Sequence, residues 1–401
     1  MTHSRHTNDS TRLSRRVRNI SPSATKQMAL LAAGIGGCVS LGQGVPSFAT
    51  PPHIVEAVIR ALREDPGSGH YSLQTGMPAL RRQISQYMLR EKNVAIDPER
   101  EVCVTVGGME ALLATVMTVV DEGDEVILPS PTYASYIEQV QLAGGIPVFV
   151  PLTSAWGLDL AAISKAITAK TRAIMLCNPG NPTGTVFSDA ETIALCKLAV
   201  THNFVVITDE AYDYMVYDGG MPVNPLSIDA FRNHVISISS LSKKYALTGW
   251  RVGWVAAAGI WMEQIMKVHD ATAICAPTPS QFAALAALDG DQECVAEMRD
   301  ALVKRRTLCC ARLDRLQKYF SYVPPRGAFY VMARYLFQAA SSQEVATRLL
   351  EEARVITIPG GAFGQGGEGH LRLSFGGELT VIDEAFDRIE QWCMTAAPTL
   401  P

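Results

Sequence analysis

A lysine closes the apolar run VISISS (235–240) in the stretch SLSKK, and TGWRVG (248–253) follows it. A lysine at a strand end in a dry cleft loses proton affinity, which makes its amine nucleophilic; Lys243 is therefore a candidate for covalent chemistry. Arg251, opening the next apolar run, is a natural phosphate partner. Taken alone, each of these two residues reads by default as a surface cation. Asp209 ends FVVITD (204–209) and is followed by Glu210, Ala211 and Tyr212. A carboxylate there is costly unless a cation or hydrogen-bond donor meets it. A protonated ring nitrogen is one such partner; a helix cap or a buried ion pair is another. After VCVTV (102–106) come Gly107, Gly108 and Met109 at a helix start, where free backbone N–H groups suit an anion or simply a tight turn. After RAIMLC (172–177), the turns of NPGNPTG (178–184) stiffen the backbone and leave the Asn181 amide to be presented.

The elements that must position these residues form an α/β pattern. Short apolar runs (102–106, 125–129, 147–152, 172–177, 204–209, 235–240, 252–257) alternate with helix-length stretches such as Glu110–Val120, Ser188–His202 and Met262–Thr272. Runs apolar on both faces predict a mostly parallel sheet covered by helices on each side, with ligands at the carboxyl ends of its strands. Beyond it, helical segments from Pro279 to Tyr319, then AFYVMA (328–333), a helix near Ser342–Ala353, VITIP, HLRLSF (370–375) and a last helix from Thr380 predict a smaller α+β domain. The expected division is a disordered tail over 1–12, an N-terminal segment over 13–50 packing on the small domain, a large cofactor-binding domain over 51–289 and a small C-terminal domain over 290–401.

Composition adds exclusions. With 48% hydrophobic residues and a formal net charge of -4, the chain reads as a soluble enzyme with no bulk attraction to nucleic acid or membrane. The 9 cysteines follow no C-x-x-C or zinc spacing, which suits a reducing cytoplasm and predicts no metal site. No apolar h-region marks a signal peptide, and the Arg-rich start reads as a basic tail. The glycine-rich GGAFGQGG (360–367) does not follow the first strand of a βαβ unit and lacks dinucleotide spacing, so a nicotinamide dehydrogenase is set aside. It is expected to be a mobile loop of the small domain that closes over substrate.

Together, NPGNPTG, DEAY (209–212) and SLSK with GWRVG behind it resemble the class I/II pyridoxal-phosphate-dependent aminotransferases of the aspartate aminotransferase superfamily, fold type I. The resemblance runs from about Leu13 to the last helix. It implies that Lys243 carries pyridoxal 5'-phosphate as an imine and later shuttles a proton. It implies that Asp209 pairs with the pyridine nitrogen, that Asn181 and Tyr212 hold the ring oxygen, and that Tyr133 of SPTY (130–133) stacks on the ring. Gly108, Met109, Ser240 and Arg251 would hold the phosphate, with Ser242 beside them. Tyr71 of YSLQTG (71–76) would reach the phosphate of a neighbouring subunit, implying a homodimer with shared active sites. Arg372 would clamp the substrate α-carboxylate, with Asn181 beside it and Gly44 touching it through the backbone.

The implied activity moves the amino group of an L-amino acid to a 2-oxo acid by a ping-pong mechanism; a β-eliminating C–S lyase on the same fold is the alternative. Two departures bear on substrate. Family members often read GEPDF where this chain has GVPSF (44–48), and some aspartate-specific relatives have a lysine at the position of Met109. Both favour a neutral or aromatic substrate side chain. Loss of Lys243 is expected to abolish transamination, whereas replacement of Lys244 is expected to be mild.

Overall fold

The computed structural model describes residues 12–18, 20 and 23–395. The expected tail over 1–12 therefore lies outside the described residues, apart from Arg12. The central sheet is built from β1 (Val102–Thr105), β2 (Glu125–Ser130), β3 (Ile146–Pro151), β4 (Thr171–Cys177), β5 (Val205–Asp209), β6 (Val235–Ser240) and β7 (Gly253–Ala257). Its order is β1-β7-β6-β5-β4-β2-β3. β7 runs antiparallel to both neighbours, and the other pairs are parallel. The doubly apolar runs have the physical cause expected of them. Val126 and Leu128 of β2 enter one core while Ile127 enters the other, and Ala173, Met175 and Cys177 of β4 alternate in the same way with Ile174 and Leu176.

Helices cover both faces. Gly107–Val119 follows β1 with its N-terminus at the carboxyl end of the strands. Asp189–His202 opens with a complete capping box between Ser188 and Glu191, which fixes its start as the sequence implied. Helices Pro52–Glu64 and Pro78–Lys92, each with proline in the first turn, pack against Thr278–Asp289. The helical run expected from Pro279 to Tyr319 is broken into Thr278–Asp289 and the long helix Glu293–Arg315.

The smaller unit holds an antiparallel sheet of β8 (Phe320–Tyr322), β9 (Tyr330–Tyr335), β10 (Ile358–Pro359) and β11 (His370–Ser374), in the order β10-β11-β9-β8. Val39 and Ser40 pair in parallel with Val355 and Ile356, which ties the N-terminal segment to this unit. The segment 360–367 is more tightly built than a mobile loop. It forms two 3-10 turns, Gly366 N–H donates to Ser130 Oγ, and Thr132 N–H donates to the Phe363 carbonyl. A Cβ on Gly360 would lie 1.9 Å from the Gly367 carbonyl oxygen, so only glycine admits that approach.

Candidate active site

A cavity of about 220 Å³ opens at the carboxyl ends of β1, β4, β5 and β6, lined by Gly108, Met109, Tyr133, Asn181, Asp209, Tyr212, Ser240, Lys243 and Arg251, with Val45, Ser242 and Thr248 at its margins. The carboxyl ends of these strands meet here, so residues far apart in sequence converge. Gly44 and Arg372 join through hydrogen bonds: Lys243 Nζ donates to the Gly44 carbonyl, and Arg372 donates to Asn181 Oδ1 at 3.2 Å and to the Gly42 carbonyl at 2.7 Å. Tyr71 stands apart. It is 78% exposed and does not line the cavity of its own chain. Its loop is anchored from behind, where Gln281 donates to Ser72 Oγ and His269 contacts the Gln74 carbonyl.

Lys243 is held low in proton affinity. Burial is the main cause, the Arg372 and Arg251 charges add to it, and Asp209 only partly opposes it, bringing the pKa from 10.5 to about 8. Asp209 is raised by burial, but Tyr136 Oη at 2.7 Å and the Ala211 N–H at 3.1 Å donate to its two oxygens and favour the carboxylate. Tyr136 was not evident as a site residue. It lies three positions after Tyr133, on the helix Ala134–Leu142, and only that helical spacing from a site tyrosine hints at it.

The Tyr212 hydroxyl lies 2.9 Å from Tyr330 Oη and accepts from Asn181 Nδ2 at 3.4 Å. Tyr330 was likewise missed, because nothing in AFYVMA marks its hydroxyl as functional. Its ring stands beneath the Arg372 guanidinium at 4.6 Å, with Phe363 at 4.9 Å. A Cβ on Gly44 would come within 2.8 Å of Tyr330 Oη and would push that hydroxyl from its place beside Tyr212.

At the other end of the cavity, Gly107 has φ +75° and would, with a Cβ, press on the Arg251 guanidinium at 2.9 Å. Arg251 itself has φ 54°, a conformation rare for any residue but glycine, and its Nη1 donates to the Thr248 carbonyl. Ser240 caps the short helix Leu241–Lys244 by accepting from Ser242 N–H. None of the ion pairs among the described residues includes Lys243, Arg251 or Arg372. The Nε of Arg372 is buried without a partner. Cations therefore exceed anions in this cavity, and it can take a ligand with anionic groups at two ends.

Lys244 departs from the expectation of a mild site. It is buried, its Nζ donates to Tyr87 Oη at 3.0 Å, and it stands 4.6 Å over the Tyr87 ring. The helical turn that aims Lys243 into the cavity sends Lys244 into the protein on the opposite side.

The aminotransferase class I and II family model matches residues 37–389. An aromatic-amino-acid aminotransferase 2 of Thermococcus litoralis is 36% identical over 94% of this chain and 97% of that protein. An aspartate aminotransferase of Pyrococcus abyssi is 36% identical over the same shares of each chain. Among solved structures, a Thermus thermophilus aspartate aminotransferase mutant superposes with TM-score 0.89 at 34% identity, covering 94% of this chain and 99% of that one. These relatives are named for transamination, which favours it over the elimination alternative.

Proposed function

Because this chain belongs to the class I and II aminotransferase family, we infer that Lys243, Asp209, Tyr212 and Arg372 perform the transfer of an amino group from an L-amino acid to a 2-oxo acid, in a ping-pong cycle that depends on pyridoxal 5'-phosphate. The observation that carries this reading is the buried Lys243 amine, with its pKa near 8, facing Asp209 between two arginines that have no anionic partner.

The residues present fit the cofactor. Arg251, Ser240, Ser242 and the N–H groups at Gly108 and Met109 offer cation and donors to a phosphate at a helix N-terminus. Asp209 would hold a ring nitrogen protonated, Asn181 and Tyr212 would meet the ring oxygen, and Tyr133 would cover the ring face. When bound, the cofactor supplies an electron sink for charge left on the substrate α-carbon. Lys243 Nζ is the base that takes the α-proton and returns it, which requires the neutral amine that burial favours. Arg372, whose Nε has no partner in the protein, would meet a substrate carboxylate, and fixing that group would orient the Cα–H bond toward Lys243. Tyr330 steadies Arg372 from beneath and the Tyr212 hydroxyl from the side.

Met109 gives the cavity wall a thioether in place of a cation, which supports a neutral or aromatic substrate side chain. A homodimer with shared active sites is supported by Tyr71 projecting from an anchored loop with no place in its own cavity. A cytoplasmic setting is supported by cysteines that are all free among the described residues. No helix among them is long and apolar enough to cross a membrane, and no His/Cys/Asp/Glu group is placed to hold a metal. Within the division at 13–50, 51–289 and 290–401, the packing of the N-terminal segment on the smaller unit is supported by the pairing of Val39–Ser40 with Val355–Ile356.

The test is the visible absorption of the purified protein with pyridoxal phosphate, repeated with single L-amino acids and no oxo acid. Bleaching of the band, with release of the matching 2-oxo acid, is the expected result. Pyruvate and ammonia accumulating under a persistent band would show elimination instead, and failure to acquire any band would overturn the reading.

A further inference from the structure

Behind the cavity lies a buried ionic cluster that the reaction does not touch. Lys92, at the end of helix Pro78–Lys92, donates to Glu210 Oε2 at 2.5 Å, pairs with Asp213 Oδ2 at 2.8 Å and reaches Ser239 Oγ at 3.3 Å. Glu210 Oε1 accepts from Asn224 at 2.7 Å, Ser237 at 2.9 Å and Thr208 at 3.0 Å. Tyr87 Oη donates to Asp213 Oδ2 at 2.9 Å and accepts from Lys244 Nζ at 3.0 Å. Burial works against the Lys92 ammonium, but Asp213 and Glu210 outweigh it and push its pKa up.

Three members of this cluster are the immediate sequence neighbours of the proposed catalytic residues: Glu210 follows Asp209, Asp213 follows Tyr212, and Lys244 follows Lys243. Each pair divides its side chains between the cavity and the cluster. A fixed Glu210, Asp213 and Lys244 therefore fixes the backbone from which Asp209, Tyr212 and Lys243 are aimed. Buried ion pairs add little net stability over apolar packing of the same volume. What such a cluster supplies here is a single arrangement of three segments that meet only in the folded chain.

We propose that Lys92 and Tyr87 are positioning residues that hold Asp209, Tyr212 and Lys243 in mutual register through Glu210, Asp213 and Lys244. The proposal rests on the reading of those three as the catalytic set. It is tested with the full-length protein as Lys92→Met and Tyr87→Phe, beside Arg312→Met, which removes a buried arginine paired with Asp387 in the smaller unit. The readouts are the melting temperature, the pH midpoint of the visible band, the rate of cofactor loss, and kcat and KM separately.

Lys92→Met and Tyr87→Phe are expected to lower kcat by about 10- to 100-fold, the scale of a small misplacement of reacting groups. They are also expected to move the band midpoint by roughly half a unit and to speed cofactor loss, with KM little changed. Arg312→Met should lower the melting temperature alone. If Lys92→Met does not fold, Tyr87→Phe decides, since it deletes only a hydroxyl. Variants that melt earlier but keep the wild-type midpoint, cofactor retention and kcat would overturn the proposal. A wild type that forms no band with pyridoxal phosphate would instead overturn the catalytic assignment beneath it.

Discussion

Two charged regions lie back to back at the carboxyl ends of β5 and β6. In the cavity, Lys243, Arg251 and Arg372 have no ion-pair partner among the described residues, and Asp209 is met by hydroxyl and backbone donors. Behind it, Lys92 is paired with Glu210 and Asp213, Lys244 donates to the Tyr87 hydroxyl that itself donates to Asp213, and the Glu210 oxygens are covered by further donors. Burial is common to both regions, so burial does not mark function. What separates them is whether the charge is matched: an unmatched buried cation is tolerable only if a ligand completes it, whereas a matched cluster already has its partners.

The largest effect should come from the unmatched side. Lys243→Ala is expected to lower turnover by about 10⁴-fold or more, since it removes both nucleophile and proton carrier; steady-state transamination with the purified variant checks this. Retained turnover would erase the distinction between the two regions. Arg372→Lys should be nearly as informative, because an ammonium cannot reproduce a fork that reaches Asn181, the Gly42 carbonyl and a carboxylate together. A fall of about 100-fold in kcat/KM is expected, on the scale of a lost partner to a buried charge.

Smaller effects sharpen the picture. Tyr136→Phe deletes a donor to the charged form of Asp209, so the carboxyl should rise further above its ordinary value. Activity needs the carboxylate, so the acid limb of the pH–rate profile should move to higher pH, by about one unit; a limb that stays put would mean Tyr136 does not tune Asp209. Lys243, with its pKa near 8, gives a prediction in the unmodified apoprotein. Its neutral form attacks, so the rate of recombination with pyridoxal phosphate should rise through about pH 8 and level off above it, as stopped-flow absorbance would record. Met109→Lys should be mildest, shifting preference toward acidic amino acids by roughly 10-fold through one new exposed-side charge contact, read from competing substrates.

Much of this was legible in the sequence. The strand of Val235–Ser240 and the placement of Asp209, Lys243 and Arg251 after apolar runs followed from period and polarity alone. Tyr136, Tyr330 and the Lys92 cluster were not, because their contacts join helix Ala134–Leu142 to β5, and β9 and helix Pro78–Lys92 to the turn that follows β5, and no local pattern encodes such meetings. Lys244 was misjudged for a related reason. Adjacent residues of a helical turn point about 100° apart, so they leave the turn in different directions, and only the packed fold says that the second direction is also interior.

The pairing of Val39–Ser40 with Val355–Ile356 has a consequence for biogenesis. The segment carrying Gly42 and Gly44 leaves the ribosome before the whole central sheet, yet its partner strand appears only after that sheet is complete. Long-range closure of this kind comes late and is slow. A nascent chain can thus assemble the sheet that presents Lys243 and Asp209 well before Arg372 and Gly44 come together, and the carboxylate-reading half of the site is finished only after β11 has emerged.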